Sequence, residues 1–288
     1  MATPKKKSSP PPTPQPSTRR SNAGVIMIAA VVAAVVVIGL VVALVVGGDD
    51  DGDDGGGDGG VASTLALTPN GVAICNADER TDDTAPVDTA SAEGDDLAPF
   101  PDDEIFKPVV VVGDPLPEFS EEIQQGSPDT ALCTPAPVVS GYDYTGNEIT
   151  IDPATQGPTM VVLLAHWCPH CNREIPVLND WRDSGDVPDE LNVVGVSTGI
   201  RPDAANYPPD EWLATMDWTW PVLADADIST DDPADGADSA FRAYGGTTFP
   251  TMILVGSDGD VLARFSGEYP VDVIQGVVDD ALEQDAAS

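Results

Sequence analysis

The sequence predicts an α/β fold in its C-terminal half, with a central mixed β-sheet flanked by helices. Residues 160–165 form a wholly apolar run, typical of a buried strand, and a helical pattern of apolar residues follows over 174–181. Residues 251–255 and 261–265 flank a Gly-Ser-Asp-Gly hairpin signal, and an amphipathic pattern over 271–282 predicts a closing helix. Strands that alternate with helices in this way fit one sheet covered on both faces.

The N-terminal segment predicts a membrane anchor preceded by a short tail. Residues 1–23 are rich in Pro, Ser and Thr and carry five basic and no acidic residues, so we expect a disordered cytoplasmic tail. Residues 24–46 hold no charged residue and would form a helix about 33 Å long, enough to cross the hydrocarbon core. The apolar core of a cleaved signal peptide is shorter, about 7–15 residues, which favours an uncleaved signal anchor. Because the flanking basic residues all precede this segment, the positive-inside rule predicts a single-pass cell-membrane protein with an extracytoplasmic C-terminal body.

Three further regions follow the predicted transmembrane helix. Residues 47–60 are only Asp and Gly, and such a stretch repels itself and predicts a flexible linker. Residues 61–130 are rich in acidic residues, Ala and Thr over much of their length, and we interpret them as a partly ordered extension. Within it, the apolar run 109–112 is a candidate strand. Residues 131–288 are predicted to form one globular domain.

The remaining elements of this domain follow from turn signals and periodicity. A Gly-Asn turn at 146–147 predicts a β-hairpin that ends in a strand over 148–151. The other predicted elements are strands at 191–197 and 221–223 and short helices at 211–216 and 240–244.

The chain is strongly acidic, with 49 Asp and Glu against 12 Lys and Arg and a formal net charge of −37. This balance argues against nucleic acid or an anionic lipid surface as a partner. The acidity is explained by solubility, and the Asp-Gly tract lacks the spaced ligands and closing Glu of a calcium loop.

Two cysteines, Cys168 and Cys171, follow the predicted strand directly and begin the predicted helix. A helix N-terminus favours an anion, which lowers the pKa of a thiol, and the thiolate is the nucleophile of disulfide exchange. Pro169 fits the first helical position, because a backbone N–H at that position would have no acceptor within the helix. The pattern predicts a redox-active dithiol in which Cys168 attacks and Cys171 resolves.

A metal site and a structural disulfide are the alternatives for this pair. A structural zinc site needs four ligands, yet the chain has no second CxxC and its only histidines are His166 and His170. We therefore predict no metal and no organic cofactor. A closed structural disulfide in a surface binding module remains the non-enzymatic alternative.

The run His166–Cys171, together with Phe249-Pro250 before the strand at 251–255, resembles the active site of the thioredoxin superfamily. The resemblance implies a thioredoxin-like fold and a cis peptide bond before Pro250, which packs against the dithiol as part of the catalytic site. The membrane anchor and the hairpin resemble the TlpA/ResA branch, whereas the Pro169-His170 pair resembles DsbA.

Further site residues surround the dithiol. His170 can donate to the Cys168 thiolate and, when charged, stabilise it, although a solvent-facing spacer is the alternative. Trp167, Phe249 and Thr248 are the candidate substrate-binding residues, with core packing as the alternative for Trp167.

One carboxylate is a candidate for proton transfer. Glu174 follows Cys171 by three residues and so shares its helix face, and the TlpA/ResA resemblance implies that it helps proton transfer. An exposed helix glutamate without a role is the alternative. Thioredoxins have a buried Asp six residues before the first cysteine, but here that position is Val162. His166 is expected at the surface.

Cys75 and Cys133 remain after the CxxC assignment. An extracytoplasmic location permits a disulfide between them, which would fasten the extension onto the domain. A second redox pair that relays electrons is the alternative.

Together these observations predict a membrane-anchored, extracytoplasmic thiol–disulfide oxidoreductase that exchanges disulfides with exported proteins. The TlpA/ResA resemblance favours the reductase direction, with apocytochrome c as one possible substrate and a membrane electron donor or acceptor as redox partner. Reduction is the favoured direction, and the DsbA resemblance makes oxidation or isomerisation of exported proteins the alternative.

Overall fold

The structure, a computed structural model, describes residues 66–67, 71–77, 97–229 and 238–287. The predicted tail, transmembrane helix and Asp-Gly linker lie outside the described residues, as does much of the extension. Within the described ranges, no helix is both long enough and apolar enough to cross a bilayer.

One mixed β-sheet organises the described residues, and its spatial order is β1-β2-β10-β9-β6-β7-β8-β4-β3, with β5 paired to β4. β7 lies parallel to both β6 and β8, and the other pairs are antiparallel. The strands are β1 Ala66–Leu67, β2 Ala73–Ile74, β3 Val110–Val112, β4 Val138–Tyr142, β5 Glu148–Ile151, β6 Thr159–Leu164, β7 Asn192–Ser197, β8 Val222–Ala224, β9 Thr251–Val255 and β10 Val261–Ser266. The predicted α/β fold, with a central mixed β-sheet flanked by helices, is confirmed.

Helices connect these strands and cover the sheet. They are α1 Glu121–Gln124, α2 Pro153–Gln156, α3 Pro169–Ser184, α4 Pro209–Thr215, α5 Ala240–Ala243 and α6 Val271–Ala286. The central strand β6 shows why both faces are covered. Its alternate residues Met160 and Val162 belong to the core under α3 and α6, whereas Val161 and Leu163 belong to the core on the face of α5. Because β6 is buried on both faces, its sequence from Met160 onwards is a continuous apolar run.

Helix α3 positions the cysteines. Cys168 is its N-cap residue in an extended conformation, and Pro169 occupies the first turn as predicted. The helix ends at Gly185, whose φ of 78° lies in the left-handed region that favours glycine. Cys171 thus faces the core from the first turn, while Cys168 stays at the helix start.

Parts of the predicted extension join the same sheet. β1 and β2 add to the edge at β10, and β3, which contains the predicted apolar run, pairs with β4. Cys75, next to β2, forms a disulfide with Cys133, 58 residues along the chain. A buried ion pair, Asp129 with Arg264 of β10, adds a second connection that the sequence did not indicate.

We expect the paired substitution Cys75→Ala and Cys133→Ala to lower the free energy of unfolding by about 4 kcal/mol. The disulfide closes a loop of 58 residues, and its loss enlarges the conformational freedom of the unfolded chain by about this amount. Urea unfolding of the wild type and the variant measures the difference. The rate of Cys168 alkylation should be unchanged, and a large change in that rate would show that the pair belongs to the redox site.

Candidate active site

The two thiols of the CxxC pair lie at the start of α3, and both are largely buried. Cys168 is 5% exposed and Cys171 is 0% exposed, so Cys168 is the outer thiol, as predicted. Cys168 Sγ lies 3.5 Å from the carbonyl oxygen of Phe249, and the Ala165 N–H donates to Cys171 Sγ at 3.5 Å. The Phe249–Pro250 peptide bond is cis, as predicted. The dithiol is therefore packed between the end of β6 and the loop before β9.

The pKa of Cys168 is lowered by its surroundings, whereas the pKa of Cys171 is raised. A hydrogen bond from Cys171 lowers the pKa of Cys168 to about 5, with help from backbone N–H groups of Cys171 and His170 and from the charge of His170. Burial opposes this shift without reversing it. Burial raises the pKa of Cys171, and its hydrogen bond to Cys168 raises it further. At neutral pH, Cys168 is consequently a thiolate and Cys171 a thiol that donates to it.

An exposed cluster of three ionisable side chains lies beside the dithiol. His170 Nδ1 is 2.5 Å from Glu268 Oε1, and Arg173 binds both carboxylate oxygens of Glu268 at 2.7 Å. Hydrogen bonds from Arg173 and then His170 lower the pKa of Glu268 to about 2. His170 is therefore exposed to solvent and bound to a carboxylate. The sequence did not single out Arg173 or Glu268, because Glu268 is 98 residues from His170 and only the fold brings them together.

Glu174 is buried one helical turn after Cys171. Its exposure is 1%, which excludes the alternative of a surface glutamate. The backbone N–H of Tyr269 donates to both carboxylate oxygens, at 3.1 and 3.3 Å. Burial raises the pKa of Glu174 to about 7 despite this hydrogen bond. A carboxyl group that titrates near neutral pH can both take and return a proton.

We expect Glu174→Gln to stabilise the protein above pH 7 and to have little effect below pH 4.5. The folded-state pKa of Glu174 is about 7 and its ordinary value 4.5, so folding is penalised increasingly as pH rises from 4.5 to 7. The variant should gain about 2–3 kcal/mol of unfolding free energy at pH 8, measured by urea unfolding.

The matched control for this test is Glu268→Gln. The pKa of Glu268 is lowered, so its stabilising contribution is present above pH 4.5 and is lost as pH falls towards 2. At pH 8, Glu174→Gln should therefore raise the free energy of unfolding relative to the wild type, whereas Glu268→Gln should lower it. A Glu174→Gln variant that is destabilised equally at pH 4.5 and pH 8 would contradict the raised pKa.

Aromatic residues form the surface around Cys168. Trp167 donates its indole N–H to the Gly199 carbonyl at 2.6 Å and meets the Phe249 ring edge-on at 5.7 Å. Phe249 in turn packs on Phe241 at 5.0 Å. Thr248 is exposed, and its hydroxyl lies 2.6 Å from that of Ser266. Two of the predicted substrate-binding residues, Trp167 and Phe249, therefore contact each other beside Cys168, and Thr248 directly precedes Phe249.

The expectation that His166 lies at the surface is wrong. Its side chain is fully buried, and its Nδ1 lies 2.7 Å from the carbonyl oxygen of Ala205. Its Nε2 accepts the backbone N–H of Arg201 at 3.0 Å. Burial lowers the pKa of His166, and the two bonds define a neutral ring with its proton on Nδ1. The two partners are backbone groups, which no residue type in the sequence reveals.

Within the part of the chain that the structure describes, His, Cys, Asp and Glu form no group that could hold a metal ion.

The sequence matches the profile of the AhpC/TSA family over residues 112–264, just over half of the 288-residue chain. No curated protein matches it. Among solved structures, it is similar to StoA from Bacillus subtilis, with 19% identity over 46% of this chain and 90% of that one and a TM-score of 0.36.

Two further solved structures are similar to it. A putative thiol:disulfide interchange protein DsbE from Chlorobium tepidum has 21% identity over 51% of this chain and 95% of that one, with a TM-score of 0.39. A putative thioredoxin from Neisseria meningitidis has 23% identity over 53% of this chain and 93% of that one, with a TM-score of 0.40.

Proposed function

The chain belongs to the AhpC/TSA family, and we propose that it is a thiol–disulfide oxidoreductase that exchanges disulfides with exported proteins through Cys168 and Cys171. The observation that carries the proposal is the difference in pKa between the two thiols. Cys168 has a pKa of about 5 and lies against the cis peptide before Pro250, while Cys171 is a buried thiol. An outer thiolate beside an inner thiol is what attack followed by resolution requires.

The exchange runs through a mixed disulfide. The Cys168 thiolate attacks one sulfur of a substrate disulfide, so a Cys168–substrate S–S bond forms and the other substrate sulfur leaves as a thiolate. Cys171 then gives up its proton and attacks Cys168 Sγ, which closes the Cys168–Cys171 disulfide and releases the second substrate thiolate. Glu174, one turn from Cys171 and with a pKa of about 7, is the proposed acceptor of that proton. The reverse sequence oxidises a substrate dithiol.

We propose an extracytoplasmic location with a membrane anchor at residues 24–46. The apolar segment and the basic residues before it support this orientation. The disulfide between Cys75 and Cys133 also supports it, because such bridges persist in oxidising compartments. A membrane carrier that recycles the Cys168–Cys171 pair is the proposed redox partner.

For the direction of transfer, the electrostatics at Cys168 support oxidation of exported proteins. A stabilised thiolate favours the reduced form of the enzyme, which makes its disulfide a stronger oxidant. The second candidate is reduction of exported proteins such as apocytochrome c. The β4–β5 hairpin before the CxxC motif supports this candidate through its resemblance to the TlpA/ResA branch.

A peptide that carries two cysteines tests both directions with the full chain in detergent. The disulfide form of the enzyme is mixed with the reduced peptide, and the dithiol form with the oxidised peptide. We expect exchange in both mixtures, with a larger fraction of the peptide converted when the disulfide form of the enzyme is mixed with the reduced peptide. A larger converted fraction when the dithiol form is mixed with the oxidised peptide would favour the second candidate. Exchange in neither mixture would favour a binding module with a structural CxxC.

A further inference from the structure

One basic side chain projects over the rim of the candidate site. The guanidinium carbon of Arg201 lies 3.7 Å from the centroid of the Trp167 ring, and Arg201 is exposed. Trp167 is itself fixed by its bond to Gly199 and by its contact with Phe249. A guanidinium held on an aromatic face keeps its N–H edges available for a planar carboxylate.

The loop that carries Arg201 is fastened to the CxxC motif. The Arg201 N–H and the Ala205 carbonyl both bond to the buried ring of His166. The Asn206 side-chain amide donates to the His166 carbonyl at 2.9 Å, and that of Asn172 donates to the Cys168 carbonyl at 2.8 Å. The backbone of Arg201 therefore has a fixed position relative to Cys168, which a long side chain on a free loop would lack.

Arg201 differs from three other arginines of the described residues in that it is not paired with a carboxylate. Arg173, Arg182 and Arg264 each pair with a carboxylate, at 2.7, 2.8 and 2.5 Å respectively. Arg201 has no ion pair with any carboxylate of the described residues. In a chain with a net charge of −37, an arginine without an ion pair among the described residues lies beside Trp167, at the edge of the surface where a substrate must approach Cys168.

We propose that Arg201, stacked on Trp167, is a specificity-determining residue that binds an acidic side chain of the substrate protein close to the cysteine attacked by Cys168. The proposal rests on the proposed function, and it adds the substrate class: exported proteins whose reactive cysteine is flanked by Asp or Glu. Such partners would otherwise be repelled by the acidic surface of the enzyme, and a bidentate arginine–carboxylate contact offsets that repulsion locally.

Three peptides that differ only in the residue beside one disulfide cysteine test the proposal. That residue is Glu, Gln or Lys, and kcat/KM is measured for each with the full chain in low salt. We expect the wild type to prefer the Glu peptide over the Gln peptide by about fivefold, with the Lys peptide poorest. The preference should shrink in 1 M salt because the contact is exposed to solvent.

Three variants assign the preference to Arg201. In Arg201→Gln the Glu-to-Gln ratio of kcat/KM should fall to about one, and in Arg201→Lys it should be intermediate, because lysine keeps the charge without the planar fork. Arg182→Gln removes the same charge at the far end of α3, and we expect it to leave both the ratio and the basal activity unchanged. Because each ratio compares two peptides on one protein, a partly unfolded variant does not mimic the result.

Three outcomes would overturn the proposal. The first is a wild type that treats the three peptides alike, and the second is an Arg201→Gln variant with the wild-type ratio. The third is an Arg201→Gln variant that slows on all peptides equally, which would show that Arg201 only positions Trp167. Failure of the proposed function is distinct from these, because no peptide would then be exchanged at all.

Discussion

Cys171→Ser is expected to accumulate a covalent mixed disulfide with substrate proteins, whereas Cys168→Ser is expected to form none. In the first variant the Cys168 thiolate still attacks, but no second thiol is present to release the product. In the second variant the attacking atom is gone, and turnover should fall by more than about a thousandfold. Non-reducing gel electrophoresis followed by mass spectrometry detects the trapped species, and a dithiol-peptide assay measures turnover.

The double variant Cys75→Ala and Cys133→Ala is the control for this experiment, since it removes the other two cysteines of the chain. On that background, Cys171→Ser should still trap substrate through Cys168. Trapping that persists after Cys168→Ser, or that depends on Cys75 or Cys133, would contradict the assignment of roles.

The second large effect is expected in the acidity of Cys168. Its alkylation by iodoacetamide should be nearly independent of pH between 6 and 8 and should fall about tenfold per unit well below pH 5. Because the hydrogen bond from Cys171 contributes most to the low pKa, Cys171→Ala should raise the pKa more than His170→Ala does. Cys171→Ser is the matched variant for the first change, since its hydroxyl can still donate.

This acidity has a consequence for the stability of the reduced protein. A thiol with a folded-state pKa of about 5 and an ordinary value of 9.0 stabilises the folded dithiol form fully above pH 9. That contribution declines as pH falls from 9 to 5 and is absent below pH 5. The melting temperature of the dithiol form relative to the disulfide form should therefore rise from pH 5 to pH 8. The account of the site would be contradicted if the difference in melting temperature between the two forms did not change with pH and if the alkylation of Cys168 had its midpoint near pH 9.

Local sequence patterns predicted the central strand β6 and the position of the two cysteines at the start of α3. The apolar run of β6 and the cysteines at a helix start are properties of neighbouring residues, so periodicity and capping rules apply to them directly. The cis bond before Pro250 came from resemblance, and the structure confirms it. Glu174 was placed correctly on the face of Cys171 by helix geometry alone.

Other contacts between distant segments were not predicted. Glu268 meets His170 across 98 residues, and nothing in the sequence near either one indicates the other. The burial of Glu174 depends on the segment at Tyr269, 95 residues later, so spacing along α3 could not reveal it. Arg201 reaches Trp167 through a loop whose course is fixed by backbone bonds to His166, and such bonds leave no signature in residue type.

The equilibrium reduction potential of the Cys168–Cys171 pair is the most direct test of the central claim. It is measured on the full chain in glutathione and dithiothreitol buffers, with mass spectrometry of the alkylated CxxC peptide as the readout. Because the pKa of Cys168 is about 5 and that of the thioredoxin nucleophile about 7, we predict reversible cycling with a potential above the thioredoxin value of about −270 mV. A pair that cannot be cycled, or one with a potential at or below about −270 mV, would contradict the account.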